Sequence, residues 1–213
     1  MKRIISICFA AAAALTTQTN AQTAKNFFQS GAAPAVYLGV DFSHAKLIGD
    51  PVDNAQDIVA RQFTGINEVI ITEVKKYELK DAFRRDSLGH DLATAEKRSE
   101  AADPALLKSD NAADFHRFTA DSVKKVLSTF DYGTHQGVGI VFVAEALSKT
   151  DKAIAVWVTL VDLGTKQVIL TERLEGKTGM AFGFRNYWAS PLKSVVDEVK
   201  KHKYNDWKSK YGG

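Results

Sequence analysis

The chain has 213 residues, 45% of them hydrophobic and 25% charged, with 28 basic side chains against 25 acidic. That balance excludes a disordered chain, which carries too little apolar surface to fold, and a general nucleic-acid binder, which needs a strongly basic face. The single cysteine is Cys8, so a disulfide scaffold, a zinc–cysteine site and a cysteine nucleophile fall away for the rest of the chain.

Met1-Lys2-Arg3 is followed by an uncharged apolar run from Ile4 to Leu15 and by Thr19-Asn20-Ala21. A basic start, a short apolar stretch and a small-residue end are the parts of a secretory signal, here residues 1–21, cleaved near Ala21. The run is too short to span a bilayer, which takes roughly 20 apolar residues, and no transmembrane segment is expected elsewhere. Losing Lys2 and Arg3 leaves 26 basic residues against 25 acidic, and the implied destination is periplasmic or secreted. Residues 22–34 are polar and Ala-rich and read as a flexible leader to a single domain over 35–213.

From Ala35, Val36, Leu38, Val40 and Phe42 alternate with more polar residues, the period of a strand with one buried face. Gly49-Asp50-Pro51 breaks it, and Asp53 with Gln56 can form a capping box for a helix to Lys76. Val59, Phe63, Ile66, Ile70, Val74 and Tyr77 supply that helix's apolar stripe, with Gly65 as a weak point. Residues of about 81–116 form a charged insertion with few large apolar side chains, read as exposed loop and short helices. Phe118 to Phe130 predicts a short helix.

Gly137 to Leu147 is apolar on both alternating faces, as in a strand covered on both sides. Ala153 to Leu163 and Gln167 to Glu175 follow as two more strands across short polar turns, completing a meander. Gly176 to Gly183 reads as a glycine-rich loop, and Ser190 with Pro191 as the cap and first residue of a last helix. The expected order is β-α-(α)-α-β-β-β-α. The fold class is α+β, one N-terminal strand plus the three-strand C-terminal meander in a mainly antiparallel sheet packed by helices.

No catalytic motif is complete. Gly176-Lys177-Thr178 lacks the glycine loop and following helix of a phosphate-binding P-loop. Five histidines are scattered without metal-ligand spacing, so no metal site and no cofactor are expected. Asp41, Ser43 and His44 form a polar trio at the end of the first strand, but no G-x-S-x-G elbow exposes the serine. Asp41 and His44 stand as secondary candidates for binding or acid–base work. The densest aromatic stretch, Gly179 to Trp188, is the first candidate binding surface. Phe182, Phe184, Tyr187 and Trp188 offer flat apolar area, Arg185 can grip a carboxylate, and Asn186 lies among them. The competing reading closes the core with these aromatics.

Two segments carry a resemblance: the opening strand Val36-Tyr37-Leu38-Gly39-Val40-Asp41-Phe42, and the hairpin Ala155 to Leu163, Gly164-Thr165-Lys166, Gln167 to Leu170. They are similar to small envelope-protein domains: the amino-terminal domain of the Tol-system periplasmic protein, lipoprotein activators of peptidoglycan synthases, and the curli-secretion lipoprotein. The chain also resembles uncharacterised secreted bacterial families with a Gly-Phe-Arg-Asn-Tyr-Trp segment. The resemblance implies a non-enzymatic binding or assembly role with an envelope protein or glycan partner. The alternative is a carboxylate-dependent hydrolase acting on envelope glycan or peptide. Oligomeric state is left open by the sequence.

Overall fold

The computed structural model describes residues 21–213, and the expected signal segment, Ala21 apart, lies outside the described residues. The segment read as a flexible leader is helical over residues 21–29 (α1). Its Phe27 and Phe28 are buried, and Phe28 meets the Tyr204 ring edge-on at 5.4 Å. Arg85 fastens it, donating to the carbonyls of Phe27 (2.6 Å) and Ser30 (2.9 Å) and to the Tyr204 hydroxyl (3.0 Å). Two phenyl rings supply the apolar area that docks an otherwise polar segment.

Strands β1 (Ala35–Asp41) and β2 (Lys46–Ile48) follow. Next, α2 (Ala55–Asp57) runs through a π-helical turn, Ile58–Gln62, into α3 (Phe63–Thr72). Asn54 caps α2 by accepting from the Asp57 N–H at 3.2 Å. Asp53, the expected cap, is drawn instead to Lys149 at 2.8 Å. Short helices α4 (Val74–Tyr77) and α5 (Leu79–Ala82) lead into the charged insertion. There α6 (Ala93–Glu100) lies between two very short strands, β3 (Gly89–His90) and β4 (Lys108–Ser109). Helix α7 (Ala120–Leu127) opens with a capping box between Thr119 and Ser122. The meander β5 (Val138–Ser148), β6 (Ala153–Asp162) and β7 (Gln167–Lys177) precedes α8 (Phe184–Glu198), a π-helical turn, Val199–Lys203, and α9 (Tyr204–Tyr211).

The expected mainly antiparallel α+β sheet is corrected. The fold is of the α/β type, and four of the six strand pairings among the described residues are parallel. One edge of β5 is taken by β6, from Val138 opposite Asp162 to Ser148 opposite Ala153. Its other edge therefore holds both β1, opposite Val138 to Val143, and β2, opposite Ala146 to Ser148. These two lie end to end as one interrupted strand, and β3 and β4 extend the sheet in parallel beyond them. Parallel pairing needs long crossovers, which the helices between β2 and β5 provide. Strands of two or three residues show no hydrophobic period, so the sequence pattern exposes β1 and the long antiparallel hairpins but not β2, β3 and β4.

Both faces of β5 are covered. Val138, Ile140, Phe142 and Ala144 enter the larger core with Ile66 and Ile70 of α3 and Leu192, Val195 and Val196 of α8. Val141 and Val143 face a second core with Val123 and Leu127 of α7.

Helix α8 starts at Phe184, well before the expected opening at Ser190 and Pro191, and carries Pro191 inside it. Proline cannot donate to the carbonyl four residues back, that of Tyr187. The Ser190 hydroxyl donates there instead, at 2.9 Å. Gly176 lets β7 approach this turn, because a Cβ there would stand 1.9 Å from the Pro191 carbonyl oxygen.

Candidate functional site

The loop of residues 178–183 joins β7 to α8 and is fixed at both roots. Lys177 pairs with Ala153 at the end of the β6–β7 hairpin, and the Thr178 N–H donates to the Lys152 carbonyl at 2.9 Å. At the other root the Gly179 N–H donates to the Ser190 hydroxyl at 3.0 Å, and Tyr187 and Trp188 pack edge to face at 5.0 Å. Between the roots, Met180 and Phe182 stand in solvent at 106% and 95% exposure. Scattered apolar side chains on a surface are ordinary; two large ones at one loop tip form a patch.

The expected aromatic surface is thus divided. Phe182 is its exposed member, Phe184 and Tyr187 are half-buried against the core, and Trp188 is wholly inside it at 0% exposure. Trp188 is corrected from a binding residue to a core residue. Helix α8 begins at Phe184, so a side chain one turn later faces the same core-directed side. Asn186 is exposed, and Arg185 lies across α3, where a Cβ on Gly65 would meet its Nε at 2.1 Å. The weak point foreseen at Gly65 is the seat of that guanidinium.

Three features of this end went unread in the sequence: Met180 as part of the patch, exposed Val52, and the cations at the loop roots. Val52, 84% exposed, belongs to the loop after β2. Lys149 ties that loop to the same end, bridging Asp50 and Asp53 at 2.8 Å each and lying 6.0 Å from the Tyr187 ring centroid. Burial raises the Asp50 carboxyl pKa, but hydrogen bonds with the Asp53 side chain and N–H, with Lys149 and with the Val52 N–H outweigh this and lower it to about 2. Lys152, Lys177 and Arg185, by contrast, form no ion pair among the described residues.

Asp41 and His44 are placed elsewhere. Asp41 pairs with Val143 midway along β5, whereas the loop springs from the sheet end near Ser148. The Asp41 carboxylate is buried and engaged on both oxygens, accepting from the Ser43 N–H at 2.9 Å and from Arg98 Nε at 2.7 Å. Arg98 continues to the Thr129 and Val126 carbonyls, so the pair fastens α6 and α7 to the end of β1. His44 lies in the gap between β1 and β2, its carbonyl accepting from Arg117. Burial and the neighbouring Arg98 and Arg117 charges lower its pKa, against the opposing pull of Asp41. A cleft of about 210 Å³ opens there, lined by Ser43, His44, Lys46, Asp103 and Arg117 among others. With its two oxygens accepting from Ser43 and Arg98, Asp41 has the arrangement of a structural clamp.

Among the described residues, no group of three or more His, Cys, Asp or Glu side chains is arranged to hold a metal ion. No helix there is long and apolar enough to cross a membrane. The chain matches no protein-family model and no curated protein. It is similar to the crystal structure of lipoprotein GNA1162 from Neisseria meningitidis at 10% identity, covering 79% of this chain and 97% of that one, with a TM-score of 0.30. At that score the likeness assigns neither fold nor function.

Proposed function

We propose that this chain is a non-enzymatic accessory protein of the bacterial envelope, periplasmic or secreted, that binds another envelope component through the loop of residues 178–183. The observation that carries the proposal is the full exposure of Met180 and Phe182 on a loop with fixed roots. Covering both would remove roughly 3–6 kcal/mol worth of apolar surface from water, a favourable contribution to a complex. The signal-like start of the chain supports export. Two buried acids are engaged structurally, which supports binding over hydrolysis at them: Asp41 is held by Arg98 and Glu145 by Arg173, each at 2.7 Å.

A photo-crosslinking residue placed at Phe182 in growing cells, with a control at exposed Lys80, tests this. The expected result is an adduct at residue 182 only, its protein, glycan or lipid nature read by mass spectrometry. Equal adducts at both positions, or turnover of envelope glycan or peptide by the purified chain, would overturn the reading.

A further inference from the structure

The geometry points to an anionic phospholipid surface as the component that covers this loop, an inference that rests on the binding role proposed above. Met180 and Phe182 project from the tip instead of lining a groove, and Val52 projects from the loop that Lys149 holds alongside. Protruding points of apolar side chain suit the headgroup–acyl boundary of a bilayer, where aromatic rings are favoured.

The charge around them is complementary to such a surface. Lys152 and Lys177 stand together at the hairpin end, joined through the Thr178 N–H and the Ala153–Lys177 pairing. Arg185 leads off the first turn of α8, which contains no acidic residue. Of the acids on the turns and strand end that root the loop, Asp50 and Asp53 are matched by Lys149, and Glu175 by Arg173. Asp151, which accepts from the Ser148 hydroxyl, is the remaining acid there against the unpaired Lys152 and Lys177. Each cation held near an anionic leaflet strengthens attachment about fivefold. A short apolar insertion alone binds weakly, so a basic collar supplies the second signal that stable attachment needs.

The test uses the whole chain carrying Phe182→Trp. The native Trp157, Trp188 and Trp207 are all buried, so a new exposed indole dominates the response to quenchers placed in a bilayer. Lipids brominated on their acyl chains report the depth of residue 182 and not the mere attachment of the apolar N-terminal stretch.

On vesicles of phosphatidylglycerol and phosphatidylcholine, the added emission is expected to shift to the blue and be quenched. On phosphatidylcholine alone the quenching should be slight. Lys152→Ala with Lys177→Ala should weaken the interaction about 25-fold at low salt. Equal quenching on both vesicle types would overturn the role of charge and the proposal with it. Absence of quenching on both, with a protein or glycan adduct at residue 182 in cells, would overturn the lipid assignment and leave the binding role standing. Absence of quenching together with absence of any adduct would overturn both.

Discussion

The buried faces of the sheet and the loop beyond its end treat charge in opposite ways. Glu145, fully buried on β5, accepts from Arg173 Nε at 2.7 Å, from the Phe118 N–H at 2.5 Å and from the Trp157 indole at 3.2 Å. Asp41 is similarly enclosed by Arg98 and the Ser43 N–H. At the loop, three cations lack ion-pair partners among the described residues and two large apolar side chains lack cover. Satisfied buried charge fixes one arrangement of the chain, whereas uncovered apolar surface beside unpaired charge is what an external partner can use.

The largest effect that sharpens this contrast lies within one aromatic segment. Trp188→Ala removes a side chain with no exposure, packed against Tyr187 at 5.0 Å and Phe184 at 6.3 Å. Emptying such a site costs roughly 3–5 kcal/mol, read as a lower midpoint in urea unfolding. Trp188→Phe should cost clearly less, because the indole N–H it removes is buried without a partner among the described residues. A Trp188→Ala variant of unchanged stability that lost only binding would return this residue to the recognition surface.

Next in size is the Asp41–Arg98 clamp. Arg98→Ala leaves a buried carboxylate whose remaining partner is the Ser43 N–H, a loss of about 3 kcal/mol that should spare vesicle association. If stability held and binding fell, the end of β1 and not the loop would be the site to pursue.

A smaller effect is read by acid. The folded Asp50 carboxyl titrates at about 2, below its ordinary value of 3.8, so the unfolded chain binds its proton first as pH falls. Its contribution is fully present above pH 3.8 and is lost as pH drops towards 2. Asp50→Asn should therefore flatten the acid end of the stability curve by on the order of 1–2 kcal/mol, measured against the unaltered chain over that window. An unchanged curve would mean that Lys149 does not hold the Val52 loop through Asp50.

Legibility in the sequence followed the length of each pattern. The meander shows itself because eleven residues of β5 and ten of β6 are long enough for a period and for buried composition on both faces. Of the parallel half only β1 shows itself, since β2, β3 and β4 have three, two and two residues and are placed by crossovers and not by their own pattern. At the loop, glycine spacing marked an unusual segment, but the inward or outward direction of each aromatic depends on where α8 begins. Pro191 argued for a late start, and the hydroxyl of Ser190 bonding the Tyr187 carbonyl made an early one possible. The closeness of Lys152 to Lys177 was hidden because it comes from the register of the hairpin, Ala153 opposite Lys177, which sequence pattern does not fix.

The smallest stability change belongs to the residue with the largest expected functional change. Phe182→Ala removes a ring that is 95% exposed, and surface substitutions of this kind shift stability by about 0.5 kcal/mol or less. Its association with anionic vesicles should nevertheless fall about tenfold or more, because the lost ring is apolar area covered only in the bound state. Phe184→Ala, four residues from Trp188 and half-buried on the same helix, should do the reverse, lowering stability with little direct effect on binding. The pair separates the two halves of the aromatic segment without reference to partner identity. Parallel losses of stability and binding in both variants would mean that the loop is one more edge of the core, and the distinction drawn between the two regions would fail.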